Sequence, residues 1–441
     1  MIKYTRLFIT FLLAVLVLEA RSQSTATTSS PYSRYGIGDI DPQLFPQNIG
    51  MGGIATATSN VGGFNSINPL NPASYAKIFY TVIDAGVYTN TITLAKSGFA
   101  DSKNTTTRLS HLALAFPVTK SSALSFGLLP YSELGYSYKQ SAKGFGTTSP
   151  VDTNAVNYLY SGEGGLSKAY LGYGFGIGKH LTIGANISYI FGNLKQYQST
   201  EFPELYGTLN SRVEESYKVG GLNYDYGIQY TFDFSTTRHL TLGYSASASS
   251  KVNVKNTYIV SEYYRDASGN ENVPADSLVN TQTPNAKLQL PQINHFGIAF
   301  QEDGKFIIGA DYTMGNWSNL SIAGAKQGLQ NSQTFNVGGQ ITPNSNALSN
   351  YLALMDYRLG FIYENTYLNL NNTNIKRQAV TFGLGIPLPH DRASTAFYKI
   401  NFSAEIGKRG TISNGLIKEN YMNFHLAFLL NDKWFQRFKF D

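Results

Sequence analysis

The 441-residue sequence predicts an all-β, transmembrane antiparallel β-barrel of about fourteen strands with an N-terminal hatch, or plug, segment inside the lumen. Three observations carry that reading. Charged residues make up only 14% of the chain, against about a quarter in a soluble globular protein, so much of the surface need not face water. Mean hydropathy is −0.18, which leaves no series of apolar helices to explain the deficit. Apolar residues also alternate with small or polar ones along many short segments, as in a strand whose two sides meet different media.

The elements follow in chain order. Lys3 and Arg6 precede the apolar run Leu7–Leu18, and Ala20 and Ser22 are the small residues of a cleavage site; this predicts a signal peptide over residues 1–22. A retained anchor is the alternative, but the run is short for a spanning helix. Residues 23–78 are rich in Ser, Thr, Gly, Pro and Asn and hold no sustained period of 2 or 3.6. They nevertheless carry Tyr32, Tyr35, Ile37, Leu44, Phe45, Ile49, Met51, Ile54 and Phe64, which require burial. Near the end of this segment, Asn68-Pro69 and Asn71-Pro72 in "SINPLNPASYA" exclude a central strand, because proline removes a ladder donor. Asn71 is instead expected to cap a short helical turn with Pro72 at its first position.

The barrel is expected over residues 79–430. In "HLTIGANISYIFG" the residues Leu181, Ile183, Ala185, Ile187, Tyr189 and Phe191 share one face. The same pattern recurs in Leu112/Leu114/Phe116, Val380/Phe382/Leu384/Ile386 and Met422/Phe424/Leu426/Phe428/Leu430, with polar residues such as His111, Ser125, Thr381, Asn401 and His425 opposite. Short turns at "PVTKSS", "GIGKH", "FSTTRH" and "QEDGK" separate the strands, and an even strand number places both ends of the barrel on the periplasmic side. The longer polar stretches near residues 142–154, 198–211, 263–288 and 321–333 are expected to be extracellular. Residues 431–441, with Trp434 and Phe435 among Lys433, Arg437 and Lys439, read as an aromatic and basic extension suited to a membrane interface.

So wide a barrel cannot fill its interior with its own side chains, and residues 23–78 provide a plug. "NIGMGGIATAT" followed by "NPLNPASYA" resembles the N-terminal region of the FadL-type family of outer-membrane barrels, the long-chain fatty-acid transporters, including the Bacteroidetes branch that contains type IX secretion barrels. Asn71-Pro72-Ala73 matches that family's NPA element, Gly50-Met51-Gly52-Gly53 its glycine-rich segment, and Leu290-Pro291 precedes a strand as in such barrels. The resemblance implies fourteen strands, a hatch and, for the characterised transporters, passage of hydrophobic molecules through a lateral opening in the wall. It makes Gly50, Gly52, Gly53, Asn68, Pro69, Asn71, Pro72 and Ala73 the hatch or gate candidates; the alternative for the NPA element is a rigid turn that only starts the first strand. By alternation Asp311, Arg358, Glu364 and Glu405 are expected to face the lumen, as an interior charge network that holds the hatch.

Other chemistries find little support. The chain has no Cys, which excludes thiol nucleophiles and thiolate metal sites. Its histidines, at 111, 180, 239, 295, 390 and 425, lack metal-ligand spacing, and no serine has a nucleophile context; no metal, no cofactor and no enzyme activity are expected. A formal net charge of +6 without a basic block gives no footprint for nucleic acid. In "GYGFGIGK" the glycines at 172, 174, 176 and 178 keep strict period 2; they lack the spacing of a dinucleotide fingerprint and instead form a bare strand face suited to close approach of another backbone, such as the hatch, or to a bend in the wall. The expected partners are outer-membrane lipid, a hydrophobic small molecule and other envelope proteins. Two functions follow. One is an outer-membrane channel for passive uptake of small hydrophobic compounds, gated by the hatch. The other is a non-transporting barrel subunit of an outer-membrane secretion or assembly complex.

Overall fold

The computed structural model describes residues 28–60, 63–143, 155–203, 205, 207–266, 268, 270–272, 277–389 and 396–434. The expected signal segment and the tail from residue 435 lie outside them, as do His390 and most of the stretch 142–154. Fourteen antiparallel strands close into a barrel. In order they are β1 (Thr81–Ala95), β2 (Ser102–Thr119), β3 (Ser122–Lys143), β4 (Ala155–Ile177), β5 (Leu181–Glu201) and β6 (Asn210–Asp233). Two interrupted strands follow, β7 (Arg238–Ser247 and Lys251–Arg265) and β8 (Val279–Gln289 and Ile293–Glu302). The wall continues with β9 (Phe306–Gly315), β10 (Ser332–Ile341), β11 (Asp356–Leu370), β12 (Thr373–Leu388), β13 (Phe397–Gly410) and β14 (Lys418–Asp432). β14 pairs with β1 from Thr81↔Asp432 to Ala95↔Lys418, which closes the cylinder.

The breaks in β7 and β8 face each other, and Leu290 N–H donates to Ser250 O across them at 2.8 Å. Pro291 cannot donate to a ladder, so the interruption falls where the sequence carries it. The four short turns read from sequence all lie at the end where β1 begins and β14 ends, the periplasmic end of an even-stranded barrel. A longer connection at that end, residues 342–355, contains the 3-10 turn Tyr351–Leu354 and was not marked by the alternation pattern. On the outer surface Leu171, Ile187 and Leu359 are each more than half exposed, while Asn186, Ser188 and Asn223 on the inner face are buried. The apolar face meets lipid and the polar face meets the lumen, so alternation along the strand reports which medium each side touches.

The lumen is occupied by the N-terminal segment. Ser30 Oγ accepts from Tyr32 N–H at 3.1 Å and starts the 3-10 turn Pro31–Arg34. This turn sits at the outer end, because Ser30 Oγ also donates to Glu419 at 2.6 Å and Tyr32 donates to Ile417 O. The chain then descends. Asp39–Ile40 pair with Glu133 and Ser132 of β3, and the one-turn helix α1 (Pro46–Ile49) has proline in its first turn, where no N–H is needed. Gly52 and Gly53, at φ +73° and +83°, make the reversal after it in a region that side chains disfavour. A second 3-10 turn, Pro72–Lys77, is capped by Asn71, whose Oδ1 accepts from Ala73 N–H at 3.1 Å; β1 starts directly below.

Three apolar clusters anchor the segment, one of them Met51, Ile54 and Ala57 against Ala299 and Ile307. At the outer end Tyr32 and Ile37 pack among Leu134, Leu166, Ile190, Val252 and Trp317. Lower down Phe45, Ile67, Tyr75 and Ile78 pack among Val82, Ala113, Leu129 and Tyr170. Each large apolar side chain removed from water contributes about 1.5–3 kcal/mol, so the segment belongs to the core of the protein.

Candidate functional site: the plug seat and the wall opening

The plug rests on glycines of the wall. A Cβ added at Gly174 would lie 2.4 Å from Pro72 O, at Gly184 2.3 Å from the same oxygen, and at Gly227 2.0 Å from Asn71 Oδ1. Gly174, Gly184 and Gly227 are directly opposed on β4, β5 and β6. Further round, a Cβ at Gly243 would lie 2.1 Å from Thr56 O, at Gly338 2.2 Å from Met51 O and at Gly360 2.1 Å from Gly52 N; the last two glycines are also directly opposed, on β10 and β11. At five of these glycines backbone packs on backbone with no room for a Cβ, and at Gly227 the Asn71 side chain takes that space.

Polar side chains of the wall pin the same stretch. Asp311 Oδ2 on β9 accepts from the N–H groups of Ala55 and Thr56, both at 2.8 Å. Thr381 on β12 accepts from Gly52 N–H at 2.8 Å and donates to Gly50 O at 3.1 Å, and Asn336 on β10 donates to Gly52 O. Gln229 on β6 donates to Thr56 O and Thr58 O at 3.0 and 3.1 Å. Asn186 on β5 donates to Pro69 O at 3.1 Å. Asn431 on β14 both accepts from Asn65 N–H at 2.8 Å and donates to Asn65 O at 2.9 Å. A segment with so little regular structure must satisfy its buried backbone groups in this way.

The sequence-predicted hatch residues gather at this seat. Asn68 Nδ2 donates to Ala55 O at 2.7 Å and Asn71 Nδ2 to Thr56 O at 2.6 Å, which ties the NPA turn to the loop ahead of it. Pro72 and Ala73 are buried beneath Gly184. Gly50 lies against Gly383 and the Arg358 stem, Gly52 against Gly360, and Gly53 against the Asn336 amide. Of the period-2 glycines, Gly172 and Gly174 admit Tyr75 and the Pro72 carbonyl, Gly176 meets the Ser121 turn, and Gly178 borders open space. Lys77, at the end of the plug, donates to Thr231 at 3.0 Å, and burial pushes its pKa down.

The four lumen-facing charges form three separate clusters. Asp311 holds the plug directly. Arg358 donates to Gln340, Asn401 and Asp356 at 2.7, 3.0 and 2.9 Å, and Lys399 joins Asp356 at 2.8 Å. Glu364 and Glu405 both pair with Arg377 at 3.0 Å, bracing one wall strand against another. The remaining pins, Asn186, Gln229, Asn336 and Asn431, were not singled out in the sequence. Their only signal is a polar residue on the inner face of a strand.

A cavity of about 300 Å³ lies between the plug floor and the outer cluster. Its lining mixes Ile40, Leu44, Leu70 and Ile362 with Asp41, Arg108, Glu133, Arg377, Glu405 and Glu419. It reaches an opening in the wall. Pairing between β2 and β3 runs from Thr119↔Ser122 only to Leu112↔Leu128. Beyond the register shift at Pro130, where a donor is missing, β3 turns inward and pairs with Asp39–Ile40 of the plug, and Tyr131 O accepts from Asp41 N–H at 3.0 Å. Behind the opening, Arg108 of β2 pairs with Glu133 of β3 and, at 3.1 Å, with Asp41 of the plug. Its guanidinium lies 4.3 Å from the Tyr88 ring centre, a stabilising cation–π distance.

A family model, BamG, matches residues 1–441. The chain belongs to the BamG family. No curated protein matches it. Solved structures similar to this BamG chain include the toluene transporter TbuX of Ralstonia pickettii, at 14% identity over 89% of this chain and 99% of that one, with a TM-score of 0.56. The Pseudomonas putida toluene transporter TodX is similar at 14% identity over 90% and 100%, with a TM-score of 0.58. A FadL homologue of Pseudomonas aeruginosa is similar at 13% identity over 90% and 100%, with a TM-score of 0.57. At these identities the likeness is one of fold, so this BamG barrel shares the architecture of the two toluene transporters and the FadL homologue.

Proposed function

We propose that this protein is an outer-membrane barrel of a Gram-negative bacterium, exported by a cleaved signal peptide, whose axial route is closed by a plug that stays in place. It acts through contacts with other envelope proteins, as a subunit of an outer-membrane secretion or assembly complex. The seat of the plug carries this reading: backbone rests on wall glycines at separations that leave no room for a side chain, and an apolar cluster fills the lumen above. A hatch that leaves for each passing solute would expose both layers. Extraction of the native protein in mild detergent, with measurement of particle mass and protein content, tests the proposal. A stoichiometric assembly with other envelope proteins is the expected result, and a lone monomer carrying an acyl-chain or aromatic compound would overturn it. In planar bilayers the intact protein should show no conductance steps, whereas deletion of residues 24–76 should create them.

A second reading, passive uptake of small hydrophobic compounds, is favoured by one observation, the opening between β2 and β3 beside the cavity. The structural neighbours are named as toluene and monoaromatic hydrocarbon channels, which adds support through the shared fold. Against it stands the lining, since apolar cargo gains nothing from Arg108, Glu133 and Asp41 across its exit. Uptake of a hydrophobic compound by cells that carry the protein, compared with cells that lack it, separates the two readings.

A further inference from the structure

We propose that the outer end of the wall over β12, β13 and β14 binds the phosphate group of an anionic lipid in the outer leaflet. Gln378, Lys408, Asn420, Thr93 and Lys103 are directly opposed in one row across β12, β13, β14, β1 and β2. Lys376 and Lys418 lie two residues further out on β12 and β14, diagonal to Lys408. Between them Gly410 stands opposite Lys418 and contributes no side chain, so the three lysines surround a bare position. Among the described residues, none of the three takes part in a salt bridge. Glu364, Glu405 and Glu419 face the lumen and are engaged there by Arg377 and Arg409, while Asp101, just ahead of β2, is exposed.

Like charges at neighbouring cross-strand positions repel, and on this face Asp101, two residues beyond Lys103, stands alone among the described residues at this end of the strands against Lys103, Lys376, Lys408 and Lys418. The counter-charge comes from the membrane. One row lower, Val380, Ile406 and Met422 are exposed and directly opposed, which suits acyl chains. The two rows border a depression of about 500 Å³ on the outside of the wall, with Lys103, Lys408 and Asn420 on one side and Val380, Ile406 and Met422 on the other. A cationic cradle above an apolar trough matches a phosphorylated lipid. A free anion would leave the trough unused.

The test uses the purified full chain in mild detergent, with binding of diphosphorylated lipid A read by native mass spectrometry beside phosphatidylcholine and inorganic phosphate. Each lysine near a membrane surface is worth about fivefold in attraction for anionic lipid. Lys376→Gln/Lys408→Gln/Lys418→Gln is therefore expected to lower lipid A binding on the order of a hundredfold. A control at the periplasmic end, Lys120→Gln/Lys179→Gln/Lys305→Gln, should bind as the wild type does. Undiminished binding by the first triple variant would overturn the proposal. Equal binding of phosphatidylcholine would overturn it as non-selective lipid adhesion, and equal binding of inorganic phosphate as a free-anion site. If the triple variant does not fold, Lys408→Gln alone is expected to lose about fivefold, and no loss would count against the site.

Discussion

Asp311→Leu isolates the hold of the wall on the plug. The carboxylate is 4% exposed, and its Oδ2 accepts from two plug amides at 2.8 Å. Leucine is of comparable size but leaves Ala55 N–H and Thr56 N–H without those acceptors. Each buried unpaired donor costs about 1–3 kcal/mol, so the seat loses about 2–6 kcal/mol. Removing a buried carboxylate also removes its own desolvation cost, which makes the lower end the working figure. A loss of about 2 kcal/mol raises the open population of this turn roughly 30-fold. The pairing of β9 with β8 and β10 through Asp311 uses backbone groups and is retained, so the barrel should still fold. Amide hydrogen exchange followed by mass spectrometry reads the outcome: peptides covering residues 50–60 should exchange at least tenfold faster than in the wild type, with β9 and β10 unchanged. Asp311→Asn keeps one acceptor oxygen and should show a smaller effect. Wild-type exchange in a folded Asp311→Leu barrel would refute the idea that this carboxylate holds the plug.

Gly338→Ala places a methyl 2.2 Å from Met51 O, so the plug must shift; faster proteolysis within residues 45–60 of the folded barrel is expected, and unaltered cleavage would contradict a close backbone seat. Asn431→Ala removes two hydrogen bonds to the Asn65 backbone and should cost about 1–3 kcal/mol, read as faster exchange around residues 63–67 with an intact β14. Arg108→Ala leaves Asp41 and Glu133 facing each other at the wall opening. The ion pair is partly buried, between the exposed and buried limits, so a loss of about 1–3 kcal/mol is expected. Its check is a lower unfolding temperature in detergent together with greater access of a hydrophobic fluorescent probe, and unchanged values of both would remove Arg108 from the closure.

Much of the fold was legible because a barrel wall writes its two environments into alternate residues. Ile187, Tyr189 and Phe191 face lipid while Asn186 and Ser188 face the lumen, and that contrast depends only on position along one strand. Asn71-Pro72 likewise marked the capped turn, since its cause is local: a fixed φ and a side-chain acceptor within two residues. The connection at residues 342–355 escaped because a polar periplasmic loop and a polar strand end look alike by composition. The plug seat was only half visible. The spacing of Gly172 and Gly174 allowed either a close backbone or a bend in the wall, and it carried no information that Pro72 is what arrives. Nor does a sequence distinguish Asp311, which grips the plug, from Glu364, which pairs with another wall strand; both are single acids on inward faces. The opening between β2 and β3 depends on where pairing stops at Leu112↔Leu128, and Pro130 alone would equally allow a bulge that leaves the wall closed. By itself the sequence determined the class of fold, the two media and the stiff turn before β1, because those follow from periodicity and local sterics. Only the tertiary structure decided which polar groups hold the plug, where the wall parts and that Arg108 stands behind that opening, because these depend on contacts between residues tens to hundreds of positions apart.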